Sequence, residues 1–136
     1  MRMLTALLVI AAFCVFSTSP AAAQSAAGSN KCVALTIDDG PSKHTDRALD
    51  TLDREGVKAT FFLVGENVVA FEKTVERMVV AKHDIGNHTC IHPWLSSMST
   101  EAAKREVQCG DDAIEKATGE KPKFIRAPYG AMPADI

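Results

Sequence analysis

The chain has 136 residues, 46% of them apolar, 24% charged and 6% aromatic, with a formal net charge of −2. Apolar residues are too plentiful and net charge too small for intrinsic disorder, and the length suits one modest domain rather than several. Lys and Arg form no block or patch, so nucleic-acid binding has no electrostatic support.

The first element in chain order reads as an export signal. Met1-Arg2-Met3 is a short basic start, residues 4–16 are an apolar run, and Ala21-Ala22-Ala23 before Gln24 is a small-x-small cleavage pattern. The run is too short for a comfortable bilayer span, so a cleaved signal is expected rather than an uncleaved anchor. Residues 1–23 are therefore expected to be removed. Residues 24–30 read as a flexible mature N-terminus, and 31–136 as the folded domain. No second apolar run of spanning length follows, so the mature chain is expected outside the membrane, in the periplasm, at the cell surface or secreted. Cys14 falls within the signal, leaving Cys32, Cys90 and Cys109. That odd set permits at most one internal bridge, the spacing does not name it, and structural thiols are the expectation.

Residues 32–37 are apolar without polar alternation, which predicts a strand buried on both faces. Asp38-Asp39-Gly40-Pro41 cuts it off. Ser42 is a candidate cap for a helix through Ala48, Leu49 and Leu52, which Gly56 stops. Residues 57–64 predict a second strand ending at Gly65. Val68, Val69, Val75, Met78 and Val79 then recur at helical spacing, although the β-branched residues lower intrinsic propensity. Residues 83–88 read as a short strand running into a loop. Ser99 is a candidate cap for a helix over 100–117 with an apolar stripe of Ala103, Val107 and Ile114. Gly110 within it would cost about 1 kcal/mol relative to Ala. Gly119 ends that helix, and residues 123–126 predict a fourth strand that Pro128 terminates. Alternating strands and helices predict a parallel α/β domain.

The polar residues of interest fall at the ends of three of these strands, which is where parallel α/β folds place their sites. Adjacent side chains on a regular strand point to opposite faces, so Asp38 and Asp39 can share a site only if the strand has begun to turn. Ordinary turn chemistry explains the same dipeptide. His88 and His92 lie four apart, a metal-ligand spacing. Two imidazoles and a carboxylate make the protein ligands of a catalytic zinc that keeps a position open for water. Two bland loop histidines are the alternative. Arg126 at a strand end could steady a carboxylate or form a weak surface ion pair. His44 and His83 read as structural, and Trp94 as a packing residue.

Together, Thr36-Ile37-Asp38-Asp39-Gly40-Pro41-Ser42, His88-Thr89-Cys90-Ile91-His92-Pro93 and Arg126-Ala127-Pro128-Tyr129-Gly130 closely resemble the first three motifs of the polysaccharide deacetylases. These are carbohydrate esterase family four, the NodB homology domain. Val57-Lys58-Ala59-Thr60-Phe61-Phe62 and Ile85-Gly86-Asn87-His88-Thr89 are also similar to it, so the likeness runs from about Lys31 to Ala131. Ile37 stands where many members have Phe. The resemblance implies an α/β fold, a partial distorted (β/α) barrel. It implies Asp38 as general base, and Asp39, His88 and His92 as ligands of a divalent metal, Zn²⁺ first. It further implies Arg126 as the residue orienting Asp38, and the backbone around Tyr129 as a donor to the oxyanion. The implied partner is a polysaccharide: an N-acetylglucosamine polymer such as peptidoglycan or chitin, whose N-acetyl groups are hydrolysed.

The family's two further motifs, one of which carries the histidine that protonates the leaving amine, have no counterpart here. All four histidines precede residue 93. The expectation is a truncated piece of a longer deacetylase, with its C-terminal strands missing and weak or no turnover. An O-acetyl polysaccharide esterase of the acetylxylan type and an inactive carbohydrate-binding fragment are the alternatives.

Overall fold

Strand β1 occupies Thr36–Gly40, starting later than the apolar run that predicts it. It is not buried on both faces either: Ile37 is half-buried, Asp38 and Asp39 are exposed, and Val33 ahead of the strand is 94% exposed. The reason is its place in the sheet. In this computed structural model, which describes residues 32–133 and Ile136, the strand order is β1-β2-β3, so β1 is an edge. The expected signal (1–23) and flexible segment (24–30) lie outside the described residues.

Strand β2, Thr60–Leu63, is the one buried on both faces. It pairs in parallel with β1 on one side and with β3, Asp84–Asn87, on the other. A central strand meets side chains above and below it, and Phe61, Phe62 and Leu63 are accordingly all buried. Phe61 and Leu63 join Leu49 and Leu52 of helix α1 (Thr45–Glu55) in the core. Val68 of α2 (Gly65–Ala70), Val75 and Met78 of α3 (Glu72–Val80) and Ile114 of α4 (Thr100–Thr118) complete it. Each such side chain contributes about 1.5–3 kcal/mol by leaving water.

The helix boundaries follow local chemistry, with two departures from expectation. Ser42 does not cap α1; His44 occupies that position without a side-chain cap. Ser42 instead accepts the His44 N–H through Oγ (3.3 Å) and donates its own N–H to Thr45 Oγ1 (2.8 Å). The single helix expected after β2 is broken at Phe71 (φ −130°, ψ 43°) into α2 and α3. Val69 and Val79 accordingly face solvent, at 61% and 42% exposure. Ser99 does cap α4, its hydroxyl accepting the Ala102 N–H at 3.3 Å, and Gly56 and Gly119 end α1 and α4 as expected.

The fourth strand reduces to a single parallel bridge between Asn87 and Ile125. Asn87 donates its N–H to the Phe124 carbonyl (2.8 Å) and accepts from Arg126 N–H (2.9 Å). Pro122 and Pro128 bracket the segment and cannot donate to a longer ladder. The bridge still sets Arg126 beside the ends of β1 and β3. No described helix is long and apolar enough to cross a membrane.

Candidate metal centre

Three segments meet at the carboxyl edge of the sheet: the end of β1, the turn after β3, and the stretch beyond the Asn87–Ile125 bridge. β1 supplies two neighbouring carboxylates because it is irregular there. Its register runs Ile37 opposite Phe61 and then Gly40 opposite Leu63, so Asp38 and Asp39 together face Phe62. This two-against-one bulge, with Asp39 at φ 64°, breaks the strict alternation of faces. Both acids then serve one site.

Asp39 Oδ1 lies 3.3 Å from His88 Nε2 and 3.2 Å from His92 Nε2. One ligand atom from each residue falls within 4.8 Å of the others, the grouping a single cation needs. His88 is almost wholly buried, and its Nδ1 sits 2.6 Å from the Arg126 carbonyl. A carbonyl only accepts, so Nδ1 carries the proton, which in the neutral ring leaves Nε2 as the nitrogen able to hold a cation. That backbone–imidazole arrangement is the usual support of a metal-ligating histidine. Two imidazoles and a carboxylate fit a divalent ion of zinc type.

Arg126 ties the second acid in place. Its Nη1 lies 2.6 Å from Asp38 Oδ1 and 3.0 Å from Thr36 Oγ1, and its guanidinium carbon stands 4.1 Å over the Phe62 ring. The pair is one-third exposed on both sides, so its stabilising share is small, about 1 kcal/mol at most. Its consequence is positional. Phe62 in turn lies against Gly86, where any Cβ would run into the ring.

Several supporting residues escape sequence reasoning. Glu106 of α4 accepts two backbone N–H groups from the ligand loop through Oε2, Cys90 at 3.2 Å and Ile91 at 3.1 Å. Cys90 is also disulfide-bonded to Cys109 of α4, so the expectation of unpaired structural thiols fails for these two. The signal available was spacing: Glu106 and Cys109 are i,i+3 neighbours on one helix face. Asn87, fully buried, accepts the Thr89 N–H (2.6 Å) through Oδ1. Its Nδ2 donates to Val107 O (2.8 Å) and to Asp111 Oδ1 (2.7 Å). Gly110 is what admits this carboxamide, since a Cβ there would overlap it.

Backbone strain gathers at the site. Asp39, Thr89, His92 and Tyr129 all have φ between 59° and 71°, and among described non-glycine residues only Lys82 joins them. Such conformations cost of order 1–3 kcal/mol each and persist where surrounding bonds enforce them. Thr89 is held by Asn87 at its N–H, by Gly65 N–H at its carbonyl (2.9 Å), and by His92 N–H at its hydroxyl (3.1 Å). Tyr129 brings its ring 4.9 Å from that of His92. Trp94, expected to pack inside, is 53% exposed and stacked on Tyr129. The residue that does pack is its neighbour Leu95.

The other two histidines stay outside the cluster, as expected. His44 is exposed at the start of α1. His83, just before β3, is buried, accepts the Ala59 N–H at Nδ1 (3.2 Å), and meets the Phe61 ring edge-on. Burial, then the charge of Lys58, pushes its pKa down, against the opposite pull of Asp53 and Asp84.

A family model for polysaccharide deacetylase matches residues 25–136. The chain is 43% identical over 101 residues to a peptidoglycan-N-acetylglucosamine deacetylase of Bacillus cereus, covering 74% of this chain and 37% of that relative. It is 38% identical over 102 residues to a chitin deacetylase of Colletotrichum lindemuthianum, covering 71% of this chain and 41% of that one. Among solved structures, one described as T48 deacetylase with substrate superposes with a TM-score of 0.74 at 48% identity, over 76% of this chain and 52% of that chain. The chain thus spans about half, or less, of the proteins it matches.

Proposed function

Because the chain belongs to the polysaccharide deacetylase family, we propose that it acts in the metal-dependent hydrolysis of N-acetyl groups on an N-acetylglucosamine polysaccharide, peptidoglycan or chitin-like. The observation that carries this is the convergence of Asp39, His88 and His92 beside the Arg126–Asp38 pair. Zn²⁺ is the ion the donor set suits best. When bound, a divalent cation supplies Lewis acidity for polarising an acyl carbonyl and for making water a stronger acid.

The chain's own residues do the rest. Asp38 is the general base. Arg126 engages its Oδ1, so Oδ2 is the atom assigned to receive the proton of the attacking water. Arg126 keeps that carboxylate aimed, held in turn by Thr36 and by the Phe62 ring beneath it. As the acetyl carbon becomes tetrahedral, the Tyr129 N–H is the backbone donor assigned to its oxygen. Among the described residues no histidine is positioned to protonate the leaving amine: His44 heads α1, and His83 lies at the amino end of β3. In this reading the chain supplies the metal ligands, the base and the oxyanion donor. Export is part of the proposal. It is supported by the leader pattern of residues 1–23 and by the Cys90–Cys109 bridge, which suits an oxidising compartment.

The test is stoichiometric zinc binding by the purified chain, lost in His88→Ala and His92→Ala. It is paired with acetate release from chitooligosaccharide, peptidoglycan and acetylated xylan. Asp38→Ala should leave zinc binding intact and lower acetate release by about 10²–10⁴-fold. Full activity in that variant would refute the assignment of the base, and tighter binding of acetylated xylan than of the N-acetylglucosamine oligomer would refute that of the substrate.

A further inference from the structure

Trp94 and Tyr129 lie face to face, with ring centroids 3.8 Å apart and planes 5° from parallel. Both are nonetheless about half exposed, at 53% and 54%. The pair stands at the rim of the candidate metal centre, since the Tyr129 ring also meets that of His92. Leaving a large indole half in water forgoes the burial free energy that normally draws aromatic rings inward. Here the backbone enforces it. Leu95 is fully buried, while the Trp94 carbonyl accepts from the Ser97 N–H (3.1 Å) and the Ser97 hydroxyl (2.8 Å). These contacts anchor the loop on the C-terminal side of the indole.

We infer that Trp94, backed by Tyr129, is a stacking platform for a pyranose ring of the polymer, next to the sugar whose acetyl group reaches the metal centre. What polymer arrives rests on the deacetylase reading above. Tyr129 covers one face of the indole and leaves the other to a ligand. In a β-linked N-acetylglucosamine chain the ring substituents are equatorial, so each sugar face presents axial C–H bonds. Those weakly positive hydrogens match the electron-rich face of an indole. Stacking on Tyr129 also restrains the indole before the ligand arrives, which lowers the ordering cost of binding.

Trp94 is the one tryptophan in the chain, so its emission reports this position alone. Titrating the full chain with the N-acetylglucosamine pentamer should change that emission saturably, and the monosaccharide should do so far more weakly. By calorimetry, Trp94→Ala should bind the pentamer roughly three- to tenfold more weakly, and Trp94→Phe should recover most of the loss. In acetate-release assays the same variants should raise KM by a larger factor than they lower kcat. An emission unresponsive to the pentamer, or a Trp94→Ala variant binding as tightly as the parent, overturns the platform. Absence of any pentamer binding does the same. Failure of the deacetylase reading looks different: a responsive Trp94 with no zinc bound and no acetate released leaves the platform standing and removes the chemistry beside it.

Discussion

Replacing Gly110 with Ala sets helix propensity against packing, and the two predict opposite signs. Propensity alone makes Gly110→Ala stabilising by about 1 kcal/mol, because α4 continues well beyond it on both sides. The structure predicts the reverse. A Cβ at residue 110 would overlap the side-chain oxygen, carbon and nitrogen of Asn87. That carboxamide is fully buried and makes three hydrogen bonds, to Thr89 N–H, Val107 O and Asp111 Oδ1. At about 1 kcal/mol for each neutral bond and about 2 for the one to a carboxylate, displacing it costs about 4 kcal/mol. Subtracting the propensity gain leaves a net loss of about 3 kcal/mol. Because Asn87 also holds the left-handed Thr89 between the two histidines, zinc affinity should fall about 10–100-fold. Urea unfolding of the oxidised protein reads the first figure, and competition with a chelating dye reads the second. A variant as stable as the parent, binding zinc as tightly, would refute the role given to Asn87.

Glu106→Ala should weaken zinc binding about tenfold with secondary structure retained, since it frees the Cys90 and Ile91 N–H groups of the ligand loop; the same dye competition measures it. Replacing Cys90 and Cys109 together by Ser removes a cross-link between positions 19 apart, and should lower unfolding stability by about 3 kcal/mol in urea titrations. His83 has a lowered pKa in the fold, so the unfolded chain binds a proton that the native state resists. Its contribution is therefore complete above its ordinary value near 6.5 and declines as pH falls below it. Melting temperatures from pH 8 to pH 5 should fall less steeply in His83→Gln than in the parent, and identical slopes would contradict this.

What can be read from the sequence, and what cannot, divides along the range of the interactions involved. Asp38, Asp39, His88, His92 and Arg126 are visible because each sits at the end of a predicted strand or in the loop after it, and their types suit one another chemically. The run at residues 32–37 misleads because alternation reports only whether polar residues interrupt it. Whether a strand is central or at an edge depends on what lies across the sheet, and among the described residues β2 holds the central place. The fourth strand shrinks to one bridge for the same reason, with its flanking prolines unable to extend the ladder. Glu106 reads locally as one more charge on a solvated helix, and its bonds to the ligand loop exist only once α4 is packed. Trp94 departs from its expected packing role because composition favours burying the larger ring, whereas here its neighbour Leu95 turns inward and Ser97 bonds to the Trp94 carbonyl.

The surplus residue in β1 has a consequence for how such a centre can be altered. Two chemically identical acids, adjacent in the chain, meet different partners where the strand bulges, Asp38 the Arg126 guanidinium and Asp39 the two imidazoles. Shortening that stretch by one would mend the pairing with β2 and give a tidier sheet, yet strand one acid on the far side. The flaw in the weave is thus the part that no repair for robustness can afford to smooth away.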